Sequence, residues 1–298
     1  MTNIETTVKV DSFPVQYDPI DFKFYGVSSS VSGVGYNIAK ALTTLGDNPV
    51  FFSIIGNDIY KKVILNELAE NQISTNHVLP LIEQTVQSCI LNDGSRRKIV
   101  LDLKDIQEAK YPTDALKDII GQIDIAVVCN INFSRGLLKP LKCAGKIIAT
   151  DVHALSDIND NYNNDYVKYA DILFLSNEKI IGNEKDIIEQ LSKEYSHKII
   201  VVGMGENGLL IYTRESQKIE RFPAVKTRKV VNTIGAGDAL FSCFMHCYAN
   251  TKDPYYSIKM AAIFASYKIG ENGGAKGFLT GKELMEISAE GNTQESID

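Results

Sequence analysis

The stretch Val230-Val231-Asn232-Thr233-Ile234-Gly235-Ala236-Gly237-Asp238-Ala239-Leu240-Phe241 places three small residues directly before an apolar helical run. Unpaired N–H groups of the first helical turn then converge where the chain is least bulky, and with the positive end of the helix dipole they favour an anion. Glycine lets a phosphate approach backbone that a side chain would shield. Asp238 falls in the same first turn, where its carboxylate stays ionised and projects into the site. An anion hole beside a carboxylate suits phosphoryl transfer to an alcohol. The hole neutralises charge on the transferring group, and the carboxylate accepts the hydroxyl proton as the new O–P bond forms. A carboxylate is too weak a base to ionise a free alcohol, so its work is confined to orientation and to the transition state. The same spacing also fits an ordinary Gly-rich helix start with Asp as a capping group.

Outward from this segment, short apolar runs alternate with amphipathic stretches, the pattern of βα units around a parallel sheet. Strands are predicted at Pro49–Ile55, Ile123–Cys129, Lys146–Asp151, Asp171–Leu175, Lys198–Val202 and Leu209–Thr213. Helices are predicted at Tyr36–Leu45, Asp58–Asn71, Thr113–Gly121, Lys185–Tyr195, Ala236–Ala249, Pro254–Ile269 and Gly281–Ser288. Continuous apolar strands imply burial on both faces. Two regions break the rhythm, Thr6–Val31 and Thr85–Leu103, where alternation suggests half-exposed antiparallel strands with a hairpin turn at Asn92-Asp93-Gly94. Together they read as a small β sheet standing off the α/β body as a lid, or as edge decoration of the main sheet.

The 298 residues carry 31 Lys+Arg against 37 Asp+Glu, and no run approaches 18 consecutive apolar residues. This excludes a membrane-spanning helix and disfavours a nucleic-acid partner. Five cysteines without a CxxC pair, and an N-terminus without signal-peptide grammar, point to a soluble cytoplasmic protein.

The segment Asn232–Asp238 closely resembles the C-terminal D-T-x-G-A-G-D signature of the PfkB, or ribokinase-like, family of sugar and nucleoside kinases, with Asn232 in place of the leading Asp. Upstream, Ser32-Gly33-Val34-Gly35-Tyr36-Asn37-Ile38-Ala39 with Leu45-Gly46 resembles the family's G-G-x-x-x-N-x-A signature, and the two lie about 200 residues apart. Further similarities are Ile55-Gly56-Asn57-Asp58 to I-G-x-D, Asn92-Asp93-Gly94-Ser95-Arg96 to the D-G-x-R lid turn, Gly205-Glu206-Asn207-Gly208 to G-x-x-G, and Gly274-Ala275 with Leu279-Thr280 to the closing G-A…P-T segment.

The resemblance implies an α/β, ribokinase-like, doubly wound and mostly parallel sheet flanked by helices, with a small β-sheet lid. The body spans 32–84 and 104–290, the lid 4–31 and 85–103, and 291–298 form a frayed tail. It implies ATP as phosphoryl donor, Mg²⁺, and room for a monovalent cation, K⁺. By resemblance Asp238 is the base and Gly235, Ala236 and Gly237 form the anion hole. Asn3, Glu5, Gly33, Gly35, Asn37, Arg96 and Asp151 face the acceptor, and Thr233, Gly205, Gly208, Gly274 and Ala275 face the nucleotide. The acceptor is a small sugar or nucleoside; neither nucleic acid nor membrane is a partner, and a homodimer through the lid is compatible with its exposed edge.

Three departures qualify the pattern. The family's N-x-x-E becomes Ser176-Asn177-Glu178-Lys179, so that Asn177 or Glu178 would serve Mg²⁺ through water. Val34 beside Tyr36 either makes an apolar acceptor pocket or packs under the lid. The family opens with a strand before G-D-x-N-x-D. Here Asn3-Ile4-Glu5 aligns with N-x-D without room for that strand, so Glu5 replaces Asp with a longer arm or the native start lies elsewhere.

Cys243, His246 and Cys247 share a helix face at i, i+3 and i+4, but sit among Leu240, Phe241, Phe244 and Met245, which favours a core role. Asp151 and His153 end a strand at the carboxyl edge, where open α/β sheets bind ligands. Arg96, Arg97 and Lys98 form the one compact basic cluster, which can meet a phosphate or remain a solvated edge. Besides a kinase of sugars or nucleosides, the same residues fit a non-catalytic sugar or nucleoside sensor, or a hydroxymethyl-heterocycle kinase of vitamin metabolism.

Overall fold

The computed structural model describes residues 1–94 and 96–294. Ser95 of the Asn92–Arg96 turn and the last four residues of the expected tail lie outside them. From the N-terminus, β1 (Asn3–Lys9) and β2 (Val27–Ser32) precede α1 (Val34–Leu45), β3 (Ser53–Gly56), α2 (Tyr60–Glu70) and β4 (Val78–Ile82). A hairpin of β5 (Gln87–Asn92) and β6 (Arg97–Asp102) follows. Strands and helices then alternate through β7 (Ile125–Val127), α3 (Asn132–Cys143), β8 (Ile147–Ala154), α4 (Asn164–Tyr169), β9 (Ile172–Ser176), α5 (Glu184–Glu194) and β10 (Ile199–Gly203). The chain closes with β11 (Leu209–Thr213), β12 (Lys218–Phe222), α6 (Ala236–Thr251), α7 (Pro254–Lys268) and α8 (Gly281–Gln294).

Six strands pair in the order β12-β11-β10-β9-β8-β7, parallel from β7 to β10 and antiparallel beyond. Successive side chains of a strand point to opposite faces, and here both faces are covered. Leu173, Leu175, Ile200 and Val202 join Leu137, Leu141 and Leu191 in one core. Ile172, Phe174, Ile199 and Val201 join Phe241, Phe244 and Phe264 in the other. Burial on both faces is the reason these strands are apolar throughout. The Phe174 ring meets Phe241 and Phe244 at centroid distances of 4.9 and 5.1 Å, which seats α6 on the sheet just after its glycine-rich start.

Strands β3 and β4 pair in parallel with each other, apart from the six-stranded sheet. The helix expected over 113–121 contracts to a 3₁₀ turn at Thr113–Leu116, whose one buried residue, Leu116, offers too little apolar face for a helix. Conversely, α3 forms although Pro140 lies inside it, where proline removes a backbone donor. Its buried face of Phe133, Leu137, Leu138 and Leu141 offsets that loss. The last helix runs to Gln294, past the boundary at 290 anticipated for the tail.

A four-stranded sheet of order β2-β1-β5-β6 gathers the two regions that break the βα rhythm. Strand β1 runs antiparallel to β2 and parallel to β5, opposing Glu5 to Ser30 and to Ser88. It begins at Asn3, which pairs with Ser32 at the end of β2, so the start of β1 lies beside the junction where β2 leads into α1.

His197 shows how burial tunes a side chain of the body. Its Nδ1 donates to the Ala170 carbonyl at 2.9 Å, whereas Nε2 is buried without a partner. Burial pulls its pKa down to about 4. The unfolded chain, with an ordinary imidazole near 6.5, therefore binds a proton below that pH which the folded protein refuses until about 4. Stability contributed above pH 6.5 is lost as the pH falls through this window. Between pH 7 and 4.5 this group alone should remove about 2 kcal/mol. Urea unfolding of the native chain and His197→Gln at both pH values checks this: the variant should lose about 2 kcal/mol less, and equal losses would exclude His197 as the source.

Candidate active site

Four buried polar side chains connect the small sheet to the body. Ser32 Oγ donates to Glu5 Oε2 at 3.0 Å and lies 3.4 Å from Asn37 Oδ1. Asn37 Nδ2 donates to Asp238 Oδ2 at 2.7 Å. The network thus runs Glu5–Ser32–Asn37–Asp238, from β1 through the β2–α1 junction to the first turn of α6. Asn3, paired with Ser32 across β1 and β2, donates separately from Nδ2 to Ser88 Oγ at 3.0 Å while its Oδ1 is buried with no partner. Ser32 is a member of this network that sequence reasoning left out of the site, although it opens the glycine signature.

The loop before α6 is held from several sides. Asn232 Oδ1 accepts from the Ile234 N–H at 2.8 Å, so the residue replacing the family's Asp still caps this turn. Gly235 adopts φ 74°, and a Cβ there would lie 2.5 Å from the Gly274 carbonyl, so only glycine permits the two loops to meet. The Ala236 N–H is already used on the Thr233 carbonyl at 3.2 Å. Among the described residues the N–H groups of Gly235, Gly237 and Asp238 have no acceptor in the chain, so two of the three expected residues keep a free donor and Ala236 does not.

Burial raises the Asp238 pKa; the Asn37 hydrogen bond and nearby His153 oppose this, and Asp151 adds to it. Asp151, within β8 where its pairing with β9 shifts register, is likewise raised by burial and accepts from the His153 N–H at 2.8 Å. Its Oδ2 is 3.7 Å from where a Gly237 Cβ would stand, so the second carboxylate borders the glycine-rich start of α6. His153 holds φ 59°, a backbone state that non-glycine residues seldom adopt and that clusters at functional sites.

Several anticipated residues stand elsewhere. Gly33 and Gly35 pack against Met1: a Cβ at Gly33 would meet the Met1 carbonyl at 2.6 Å, and one at Gly35 the Met1 nitrogen at 2.7 Å. Tyr36 is fully buried and donates to Glu67 at 2.5 Å, so it belongs to the core and lines no acceptor pocket. Arg96 turns back onto Asp93 and the Phe13 carbonyl. The next residue, Arg97, reaches across from β6 to Thr233 Oγ1 at 2.8 Å, because successive side chains of a strand face opposite ways.

Of the residues expected to face a nucleotide, Gly205 is exposed in the β10–β11 turn, while Gly208 packs against the Phe222 carbonyl, which leaves no room for a side chain. Gly274 is buried against Asn37 and Ser32, and Ala275 lies in the α1 core, so these two support the network from beneath. Asn177 Nδ2 donates to Glu184 Oε1 at 2.8 Å, and Glu178 is exposed. Glu184, seven residues past Asn177, is thus the carboxylate partner that the shifted motif concealed. Cys243 and Cys247 are buried, and His246 pairs with Asp47 at 2.8 Å. Among the described residues no group of three or more His, Cys, Asp or Glu can hold a metal ion.

Lys268, at the end of α7, is another residue unforeseen from the sequence; its signal was a lone charge closing the apolar run Met260–Tyr267. Its Nζ donates to the carbonyls of Ile234 and Gly273. Burial lowers it to about 8, against the attraction of Asp238 and Glu5, so the ammonium is charged at neutral pH.

The pfkB family carbohydrate kinase pattern matches residues 2–280. Ribokinase of Dictyostelium discoideum is 23% identical over 95% of this chain and 96% of its own. The chain spans 61% of the bifunctional protein HldE of Sulfurimonas denitrificans, to which it is 23% identical over 93% of its own length. Among solved structures, a microbiome-derived acarbose kinase superposes with a TM-score of 0.87 at 21% identity, covering 97% of this chain and 96% of the other. Arabidopsis thaliana ribokinase complexed with ribose and ATP gives 0.80 at 17% identity, covering 96% of both. No helix among the described residues is long and apolar enough to cross a membrane. With its fold shared across nearly the whole length and its glycine-rich helix start opposite a buried Asn–Asp pair, the chain belongs to the pfkB family of carbohydrate kinases.

Proposed function

We propose that this kinase transfers the terminal phosphoryl group of ATP to a hydroxyl of a small sugar, or of the sugar of a nucleoside, seated between β1 and the first turn of α6. The Asn37–Asp238 hydrogen bond carries this reading, because it fixes a raised-pKa carboxylate beside two unpaired backbone N–H groups. Asp238 holds the acceptor hydroxyl and takes its proton as the O–P bond forms, while the N–H groups of Gly237 and Asp238 bind the transferring group. The unpaired Oδ1 of buried Asn3 and the carboxylate of Glu5 suit an acceptor with several hydroxyl donors. Arg97, spanning from the small sheet to Thr233, gives that sheet the position of a lid over the donor phosphates. A closed lid limits hydrolysis of ATP by water.

Among the described residues the carboxylates are dispersed, so Mg²⁺ would be held through the nucleotide's phosphates and through water, and Asn177, hydrogen-bonded to Glu184, would bind such water. When bound, the ion neutralises phosphate charge.

Acceptor-dependent ADP release, measured over a panel of sugars, nucleosides and hydroxymethyl heterocycles, should single out a sugar or nucleoside. With that acceptor, Asp238→Asn should lower kcat by about 10²–10⁴-fold while nucleotide affinity stays within a few fold. Near-native turnover would remove Asp238 from the proton transfer. Asn37 donates to the ionised carboxylate and so lowers its pKa. The acid limb of kcat/KM should therefore move to higher pH in Asn37→Ala, and a limb that stays in place or moves down would sever the link between this pair and the base.

A further inference from the structure

Lys268 is completely buried, yet it forms no ion pair with any described carboxylate. An ammonium out of water is costly unless strong acceptors replace its hydration. Here the acceptors are backbone carbonyls from two different loops. One is Ile234, immediately before the anion loop. The other is Gly273, 2.8 Å from Nζ, in the loop whose next residue, Gly274, backs Gly235. The ammonium therefore staples together the two loops that make the floor of the phosphate site. It also sets a fixed positive charge behind the N–H groups of Gly237 and Asp238.

Carbonyl oxygens converging on a compact monovalent charge are also what a dissolved K⁺ or NH₄⁺ requires in place of its water. In this chain those carbonyls are taken, so the K⁺ that the resemblance admits does not fit behind the anion loop. We propose that Lys268 is a built-in monovalent cation, a positioning residue that holds the anion loop in its working shape and frees turnover from any dissolved monovalent cation. This rests on the kinase reading above, and its test includes a measurement that needs no turnover.

Acceptor-dependent ADP release is compared in NaCl, KCl and NH₄Cl at equal ionic strength for the native chain, Lys268→Ala and Lys268→Met. The native kcat should vary by less than about twofold among the salts. Lys268→Ala, which opens the space, should lose about 10²-fold in kcat and recover at least about tenfold in KCl or NH₄Cl but not in NaCl, with the acceptor KM less affected. Lys268→Met fills the space without charge and should remain low in every salt. Native activity that needs K⁺, a Lys268→Met enzyme with native kcat, or an Ala variant with no K⁺ response would each overturn the proposal. Thermal unfolding gives the same comparison without an acceptor: K⁺ but not Na⁺ should raise the Tm of Lys268→Ala and leave the native Tm unmoved. A native protein without acceptor-dependent ADP release would sink the kinase reading alone, and the Tm series would still decide the role of Lys268.

Discussion

The hydrogen bond from Asn37 to Asp238 joins residues 201 positions apart and sets the relation between the two halves of the chain. On one side, β1 and β2 deliver Glu5 and Ser32 to the start of α1; on the other, the β-sheet core seats α6 through Phe241 and Phe244. Each element has its own reason to fold. Only their meeting at Asp238 puts a carboxylate, free helix N–H groups and the buried polar side chains of Glu5, Ser32 and Asn37 within one network. The cost is a buried carboxylate with a raised pKa, and the Asn37 donor offsets part of it.

Glycine and lysine answer two needs of the same loop. In the proposed reading phosphate comes close to the backbone, which calls for small residues, and Gly235 in a left-handed conformation packs against Gly274. A loop of that kind has little side-chain packing to fix it. Lys268 supplies the missing constraint from behind, and its charge has the sign that an anion site needs.

Much of this was legible in the sequence, because the clues were local. The continuous apolar runs at β8 to β11 announced a sheet covered on both faces, and Asn232–Asp238 announced the glycine-rich start of α6. What escaped notice depended on partners distant in the chain. Ser32 and Lys268 are unremarkable until folding brings Glu5 and the Ile234 carbonyl to them. Arg96 and Arg97 are chemically alike, and only the side-chain alternation of β6 decides which one reaches Thr233. Gly208 and Gly274 are required by neighbouring backbone and side chains, a steric demand indistinguishable from ligand contact in a one-dimensional motif. Helix α3 was hidden by Pro140, whose local penalty is outweighed by burial of four apolar side chains.

A crystal structure with the preferred acceptor and a non-hydrolysable ATP analogue tests the central claim most directly. The reacting hydroxyl should lie about 2.6–3.2 Å from an Asp238 carboxylate oxygen. The terminal phosphate should be opposite it, on the N–H groups of Gly237 and Asp238, with further hydroxyls on Glu5 and Asn3 Oδ1. A complex with the hydroxyl on Asp151 and Asp238 still engaged only by Asn37, or with the terminal phosphate away from the start of α6, would contradict it.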